Sequence, residues 1–400
     1  MKTFICILII SLQSLSIFGQ WTTLNSGSTE KLNTVYFTSD NVGYAGGSGV
    51  TNATLLKTID GGTNWFPLTI NTIHEIVSIF FTSPDTGFVL NYNNELYKTT
   101  DGGNNWLFKK QFWGYTGKIY FTSNLIGYVG VSDGVQGIFH KTYDEGNTWT
   151  DSVTVTGMSN VTALHFPSSS IGYAVSFGGK IAKTLDAGLS WSELTQPTTK
   201  PLMDVFFTSD NVGYTVGGDG LSSVLLKTIN GGNDWTLQTT SPPTMQNHEA
   251  VFFTEETTGY CGNGYIYKTI NSGTTWNPMT SNGQILDLFF PSSTIGYAVG
   301  YSGLILKLNS TNSINEDMES DEIISFFPNP TNNQITVSIT QDVGFLIIYD
   351  LNGKEIDNYN TNQNEKEIII DVAKYENGVY TFLLGNQNQK ISLGRFIVNK

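Results

Sequence analysis

Apolar and polar positions alternate along most of the chain, in runs too short for helices. The segments "LNTVYF" (32–37), "GYAGG" (43–47), "TLLKT" (54–58) and "NWFPL" (64–68) read as four strands separated by turn-forming residues. No long stretch carries apolar residues at helical spacing. The same set of four then returns along the chain. A segment "KTIDGGTNW" ends at Trp65, and close copies of it end at Trp106, Trp149, Trp191, Trp235 and Trp276, spaced 41 to 44 residues apart. A second segment, "FTSDNVGY" (37–44), has counterparts beginning at Phe81, Phe121, Phe166, Phe207, Phe253 and Phe290, seven copies in all. Four short strands per unit at this period predict an all-β fold of β-propeller blades.

The two counts differ by one, and the difference predicts how the ring closes. The seventh unit runs through "GLILKLNS" (303–310) and ends without a tryptophan. Near the start of the chain, "WTTL" (21–24) lies 44 residues before Trp65 and matches "WFPL" (65–68). It is predicted to be the fourth strand of the seventh blade, whose first three strands lie at 285–308. The expectation is therefore a seven-bladed propeller over residues 20–309, with its first strand docked on its last blade. A ring that failed to close would expose apolar faces and a strand edge.

The flanks differ in pattern. Residues 1–19 carry Lys2, an apolar run and Gly19, the pattern of a signal peptide too short for a membrane span. Cys6 lies within it, so the exported chain keeps one cysteine, Cys261, and has no internal disulfide. Residues 310–324 are polar and acidic and read as a linker. Residues 325–400 return to alternating runs, with Asn352-Gly353 and Asn377-Gly378 as hairpin turns. They predict a small β-sandwich of six or seven strands.

Composition narrows the partners. Net charge is −14 and pI about 4.6, which disfavours nucleic acid. Arg395 is the sole arginine. No cofactor and no metal site is expected. His74 and His248 fall in different registers, so they form no metal constellation.

The repeated "T-x-D-x-G-x-x-W" resembles the Asp-box, or BNR repeat. Together with "GYAVG" (296–300) and "GLILK" (303–307), it looks most like the propellers of photosystem II assembly factors. Asp-box repeats also occur in sialidases and other glycoside hydrolases. A sialidase grips its substrate with three arginines, and this propeller has none. In the tail, "PNPTN" (328–332), "IYDLNGK" (348–354), "NGVYTF" (377–382) and "RFIVNK" (395–400) resemble the type A C-terminal sorting domain of the type IX secretion system. The opening "FFPNP" departs from the more usual Tyr before "PNP". This resemblance implies a partner in the secretion machinery. It also implies a protein secreted by, or held on the outer surface of, a Gram-negative bacterium.

The box residues have a structural reading. Asp60, Asp101, Asp144 and Asp186 can accept backbone N–H bonds within their own turns, and Asn230 and Asn271 can do the same. Six turns of equal chemistry are poor candidates for one active site. The lysine before each box, from Lys57 to Lys307, is expected to lay its stem along the outer sheet. Cys261 takes a slot filled elsewhere by small residues and is expected to be buried.

Function is sought where the units differ. "FKKQFWGYTGK" (108–118) holds Trp113, the one tryptophan outside the repeat, with Phe112, Tyr115, Lys109 and Lys110. It is expected to be a longer loop, and these residues are the ligand-binding candidates, for a glycan or a protein. Three residues before the terminal Phe, the inner strands carry Thr34, Ser78, Lys118, Ala163, Asp204, Ala250 and Asp287, with Glu249 beside Ala250. Asp204, Asp287 and Glu249 could converge at the channel mouth, and paired carboxylates are what glycoside hydrolysis needs. Three readings stand: a binding module, an Asp-box hydrolase acting on polysaccharide, and an assembly-factor-like protein binder.

Overall fold

The computed structural model describes residues 21–150, 152–195, 198–238, 247–262, 264–280, 283–309, 324–328, 330–339, 344–350, 354–360, 367–386 and 389–400. The leader, most of the linker and the Asn352-Gly353 turn lie outside them. The chain divides into two compact units, Met1–Asn312 and Ser313–Lys400.

The first unit is all-β, seven four-stranded antiparallel sheets with one short 3-10 turn among the described residues. Six sheets take their strands consecutively. The seventh has the order 21–24, 305–309, 295–300, 285–289, so the first described strand pairs with the last. Trp21 lies opposite Leu308 and Leu24 opposite Ile305. The first strands of the sheets are Leu32–Phe37, Ile76–Phe81, Tyr115–Phe121, Val161–His165, Leu202–Phe207, Ala250–Phe253 and Ile285–Phe289. Each packs against the next, and Ile285–Phe289 packs back on Leu32–Phe37. These strands therefore surround an axis.

One aromatic wedge repeats at every junction. A phenylalanine at the end of each inner strand lies over the glycine six residues later. A Cβ on Gly43, Gly87, Gly127, Gly172, Gly213, Gly259 or Gly296 would sit 2.3–2.5 Å from that ring, so only glycine fits. The residue after the glycine stacks on the phenylalanine of the following sheet. Tyr44 on Phe81, Tyr173 on Phe207 and Tyr297 on Phe37 show the pattern, and all seven junctions have centroids 3.6–4.5 Å apart. A tryptophan meets each phenylalanine edge-on at 5.8–6.4 Å. In the seventh sheet that tryptophan is Trp21, against Phe290 at 6.0 Å.

The boxes brace the same junctions. Asp60 Oδ1 accepts from Thr58 Oγ1 at 2.9 Å and from the Asn64 N–H at 2.9 Å, and the Gly62 N–H donates to Thr58 Oγ1 at 2.8 Å. Asn230 and Asn271 use their amide oxygens in the same way. The lysines do more than lie along their own sheet. Lys57 Nζ and Tyr44 Oη both donate to Gly102 O, in the box turn of the next sheet, at 2.6 and 2.8 Å. Lys307 and Tyr297 donate to Gly61 O at 2.8 and 2.9 Å, which ties the last sheet to the first. Cys261 is fully buried, and burial pushes its thiol up.

The second unit has a three-stranded sheet, Ile324–Phe327, Gln334–Ile339 and Glu367–Asp371. A four-stranded sheet joins Glu355–Asn360, Phe345–Tyr349, Gly378–Asn386 and Gln389–Val398. Val337, Ile370, Leu346, Ile348, Phe382 and Phe396 belong to one core that draws on both sheets.

Trp21 is 2% exposed, so Trp21→Ala removes a ring from the closing sheet. We expect it to cost about 3–5 kcal/mol. Urea unfolding beside Trp113→Ala, which changes an exposed ring, measures this. Equal midpoints would contradict closure by this strand.

Candidate functional site

The axial strands present their side chains in layers. Six of the seven carry a register irregularity near their start, as between Leu32 and Thr34 or Leu202 and Asp204. Such a bulge turns two successive residues toward one side. The outermost layer takes one residue from each sheet: Asn33, Val77, Gly117, Thr162, Met203, Glu249 and Leu286. All seven line one cavity of about 310 Å³. The next layer holds Lys118, Asp204 and Asp287 among small side chains.

The deepest layer is a collar of seven rings: Tyr36, Phe80, Tyr120, His165, Phe206, Phe252 and Phe289. Each touches the next at centroid distances of 4.6–5.8 Å, and Phe289 returns to Tyr36 at 4.7 Å. Burial holds His165 neutral, with its pKa down at about 3.

The carboxylates have partners already. Asp204 accepts the Val205 N–H and, across the junction, the Val251 N–H, both at 2.8 Å. Asp287 accepts the Leu288 N–H and, across the closing junction, the Val35 N–H, both at 2.9 Å. All four oxygens are used, so both residues clamp neighbouring sheets. Burial, with the like charge of Asp287 adding to it, pushes Asp204 up to about 7. Asp287 is raised by burial too, against the pull of Lys118. Glu249 is raised by burial, opposed by Asn247 and Lys118. The three acids thus share one lysine, whose Nζ donates to Val77 O at 2.9 Å.

The second concave region lies on the rim. A cleft of about 400 Å³ is lined by Asn93, Gln111, Phe112, Trp113, Gly114, Tyr115 and Asp133. Trp113 is 73% exposed and Tyr115 59%. The connection is shorter than its sequence implies, because strands Leu107–Gln111 and Tyr115–Phe121 absorb most of it. Phe112 lines the cleft, but most of its ring is packed in the core. Its N–H donates to Asn94 O at 2.9 Å, its ring meets Trp149 edge-on at 5.2 Å, and it is 2% exposed. Lys110 Nζ lies 5.3 Å from the Phe112 ring centre, and Lys109 is exposed. Asp133 accepts the Val135 and Gln136 N–H groups, which hold its carboxyl below the usual range.

Comparison with known proteins assigns the tail. Residues 325–399 match the family described as "Secretion system C-terminal sorting domain". The tail carries a secretion sorting domain. Through it the chain is linked to the secretion machinery, and such a domain indicates export to the cell surface or beyond. No curated protein matches the chain. Solved structures resemble the first unit. YCF48 bound to D1 peptide shares 20% identity with a TM-score of 0.61, over 74% of this chain and 98% of that one. YCF48 from Cyanidioschyzon merolae shares 16% with a TM-score of 0.59, over 74% and 100%. The WD40 β-propeller domain of Doa1 shares 10% with a TM-score of 0.58, over 74% and 97%. These likenesses establish the propeller fold and nothing finer.

The collar and the mouth layer were not picked out from sequence, although both sit at fixed positions. The collar residue precedes each terminal phenylalanine, and the mouth residue lies four places before it.

Asp204 supplies a pH test. A native pKa raised from the ordinary carboxylate range to about 7 means the folded state holds the extra proton between those limits. Its contribution to stability therefore falls as pH rises from about 4 to about 7. Asp204→Asn should flatten that fall. Melting temperatures at the two ends of the window check this, and parallel curves for parent and variant would contradict it.

Proposed function

We propose that this chain is an exported, seven-bladed β-propeller that binds an extracellular glycan through its rim cleft. Residues 20–309 would form the propeller, closed by strand 21–24, and residues 325–400 a small β-sandwich. The signal peptide at 1–19 and the sorting domain would act in turn, the first delivering the chain to the periplasm and the second to the type IX machinery.

One observation carries the ligand class. Trp113 and Tyr115 stand exposed beside a cleft whose other walls are Asn93, Gln111 and Asp133. An aromatic face takes the C–H face of a sugar ring, and amides and a carboxylate take its hydroxyls. Lys109 and Lys110 flank this edge. A protein ligand is the second reading, supported by the YCF48 structure whose title has it bound to a peptide. The hydrolase reading draws less support, since the backbone amides held by Asp204 and Asp287 compete with any substrate for those oxygens.

A screen of polysaccharides and peptides against the full chain tests the cleft. Trp113→Ala should weaken the glycan that binds by roughly tenfold or more, as loss of an aromatic anchor does. An unchanged affinity would overturn the assignment, and capture of peptides alone would favour the second reading. Export is tested separately. A chain lacking residues 325–400 should accumulate in the periplasm, and its normal appearance in the medium or on the surface would refute the sorting role.

A further inference from the structure

The axial cavity is a second site, distinct from the rim cleft. It forms a cup at one end of the axis, and none of its lining residues belongs to the aromatic collar. Two of its walls are Tyr92 and Phe177, which are 50% and 51% exposed. They stand in the turns after the second strands of the second and fourth sheets. Val77, Met203 and Leu286 supply apolar surface between them.

The charges in the cup are unevenly balanced. Glu249 brings a carboxylate to the lining; burial raises its pKa, opposed by a hydrogen bond with Asn247 and by the charge of Lys118. Lys118 lines the cup as well, but its Nζ already donates to Val77 O at 2.9 Å, and its charge also acts on Asp204 and Asp287. Glu75, the other acid beside the mouth, is paired with Lys31 at 2.8 Å and with Asn33 Nδ2 at 3.1 Å. Three acids share the one lysine, so an anion entering here would meet more carboxyl groups than ammonium groups. A cation would gain Glu249 and two aromatic faces.

We infer that the axial cup binds a primary ammonium group carried on a short aliphatic stem, with the ammonium at Glu249, the stem along Val77, Met203 and Leu286, and Tyr92 and Phe177 as flanking faces. Nothing in this depends on the rim cleft taking a glycan. The same ammonium is offered by a lysine side chain and by a free diamine.

Calorimetry on the full chain, with n-pentylamine, 1-pentanol and pentanoate as probes, tests the chemistry. Pentylamine should bind with Kd on the order of 1 mM, as suits so small a ligand. Pentanol should bind about tenfold more weakly, and pentanoate not at all. Glu249→Gln should reduce pentylamine to the level of pentanol, while Trp113→Ala leaves it unchanged. Cadaverine and Nα-acetyl-lysine methylamide then separate the sources, because only the second carries peptide groups to meet the rim of the cup. Pentanol binding as well as pentylamine, full affinity in Glu249→Gln, or no saturable binding of any amine would each overturn the assignment. If Glu249→Gln unfolds early, Phe177→Ala decides, since that ring is exposed. It should weaken pentylamine several-fold, and unchanged affinity refutes the site.

Discussion

The first unit depends on one ring placed seven times. Each terminal phenylalanine is held between the bare Cα of a glycine in its own sheet and the flat face of an aromatic from the sheet before. That contact cannot form within a single sheet. A lone four-stranded sheet leaves its phenylalanine without a stacking partner and its tyrosine without a ring to cover. Each sheet is therefore incomplete by the same amount, and a ring of sheets is the arrangement that satisfies all of them. The Lys and Tyr donors that share one carbonyl in the next box turn act in the same direction, from each sheet to its successor.

Seen this way, the sequence is most legible where it serves the junction. The seven Gly-Tyr or Gly-Phe pairs, the box turns and the tryptophans recur because every junction asks the same of them. Even the odd strand at 21–24 was readable, since Trp21 is one period ahead of its series and finds the same neighbour, Phe290. The axial layers were harder. They also recur at fixed offsets, but different residue types satisfy them. Tyr36, His165 and Phe206 all serve the collar, because any flat ring can touch its neighbours there. Motif reading seeks identity and misses a position that asks only for shape.

The functional candidates divide for the same reason. Asp204 and Asp287 were candidates, with Glu249, because carboxylates on neighbouring inner strands could converge at the channel mouth. What sequence could not supply was their hydrogen-bond partner, the N–H of a residue in the next sheet. Ser78 takes the same bond more weakly, from its hydroxyl to the Ile119 N–H at 3.3 Å. Three side chains of two chemistries thus do one job at one position. Trp113 was legible for the opposite reason, as a tryptophan with no place in the repeat. Phe112 beside it was not, because it lies just past the strand that ends at Gln111, where the bond from its N–H to Asn94 O and the contact of its ring with Trp149 draw it into the core.

The rim cleft and the axial cup share a backbone. The turn at 91–94 gives Asn93 to the cleft and Tyr92 to the cup, and strand Tyr115–Phe121 gives Tyr115 to one and Gly117 and Lys118 to the other. Both segments are fixed at Asn94, whose carbonyl holds the Phe112 N–H and whose own N–H is held by Asn91 O. Asn94 is fully buried and takes a positive φ of 57°, a conformation asparagine tolerates better than most residues. Its amide lies behind Gly117, where a Cβ would come within 2.9 Å of Oδ1. The same Cβ would press on Val131 Cγ1 at 2.7 Å and Leu90 Cδ2 at 2.9 Å, so a side chain at 117 would crowd the packing behind the turn that carries Tyr92 and Asn93. Asn94 and Gly117 thus meet where the two concave surfaces share their backbone, and neither residue needs to touch a ligand to matter to both.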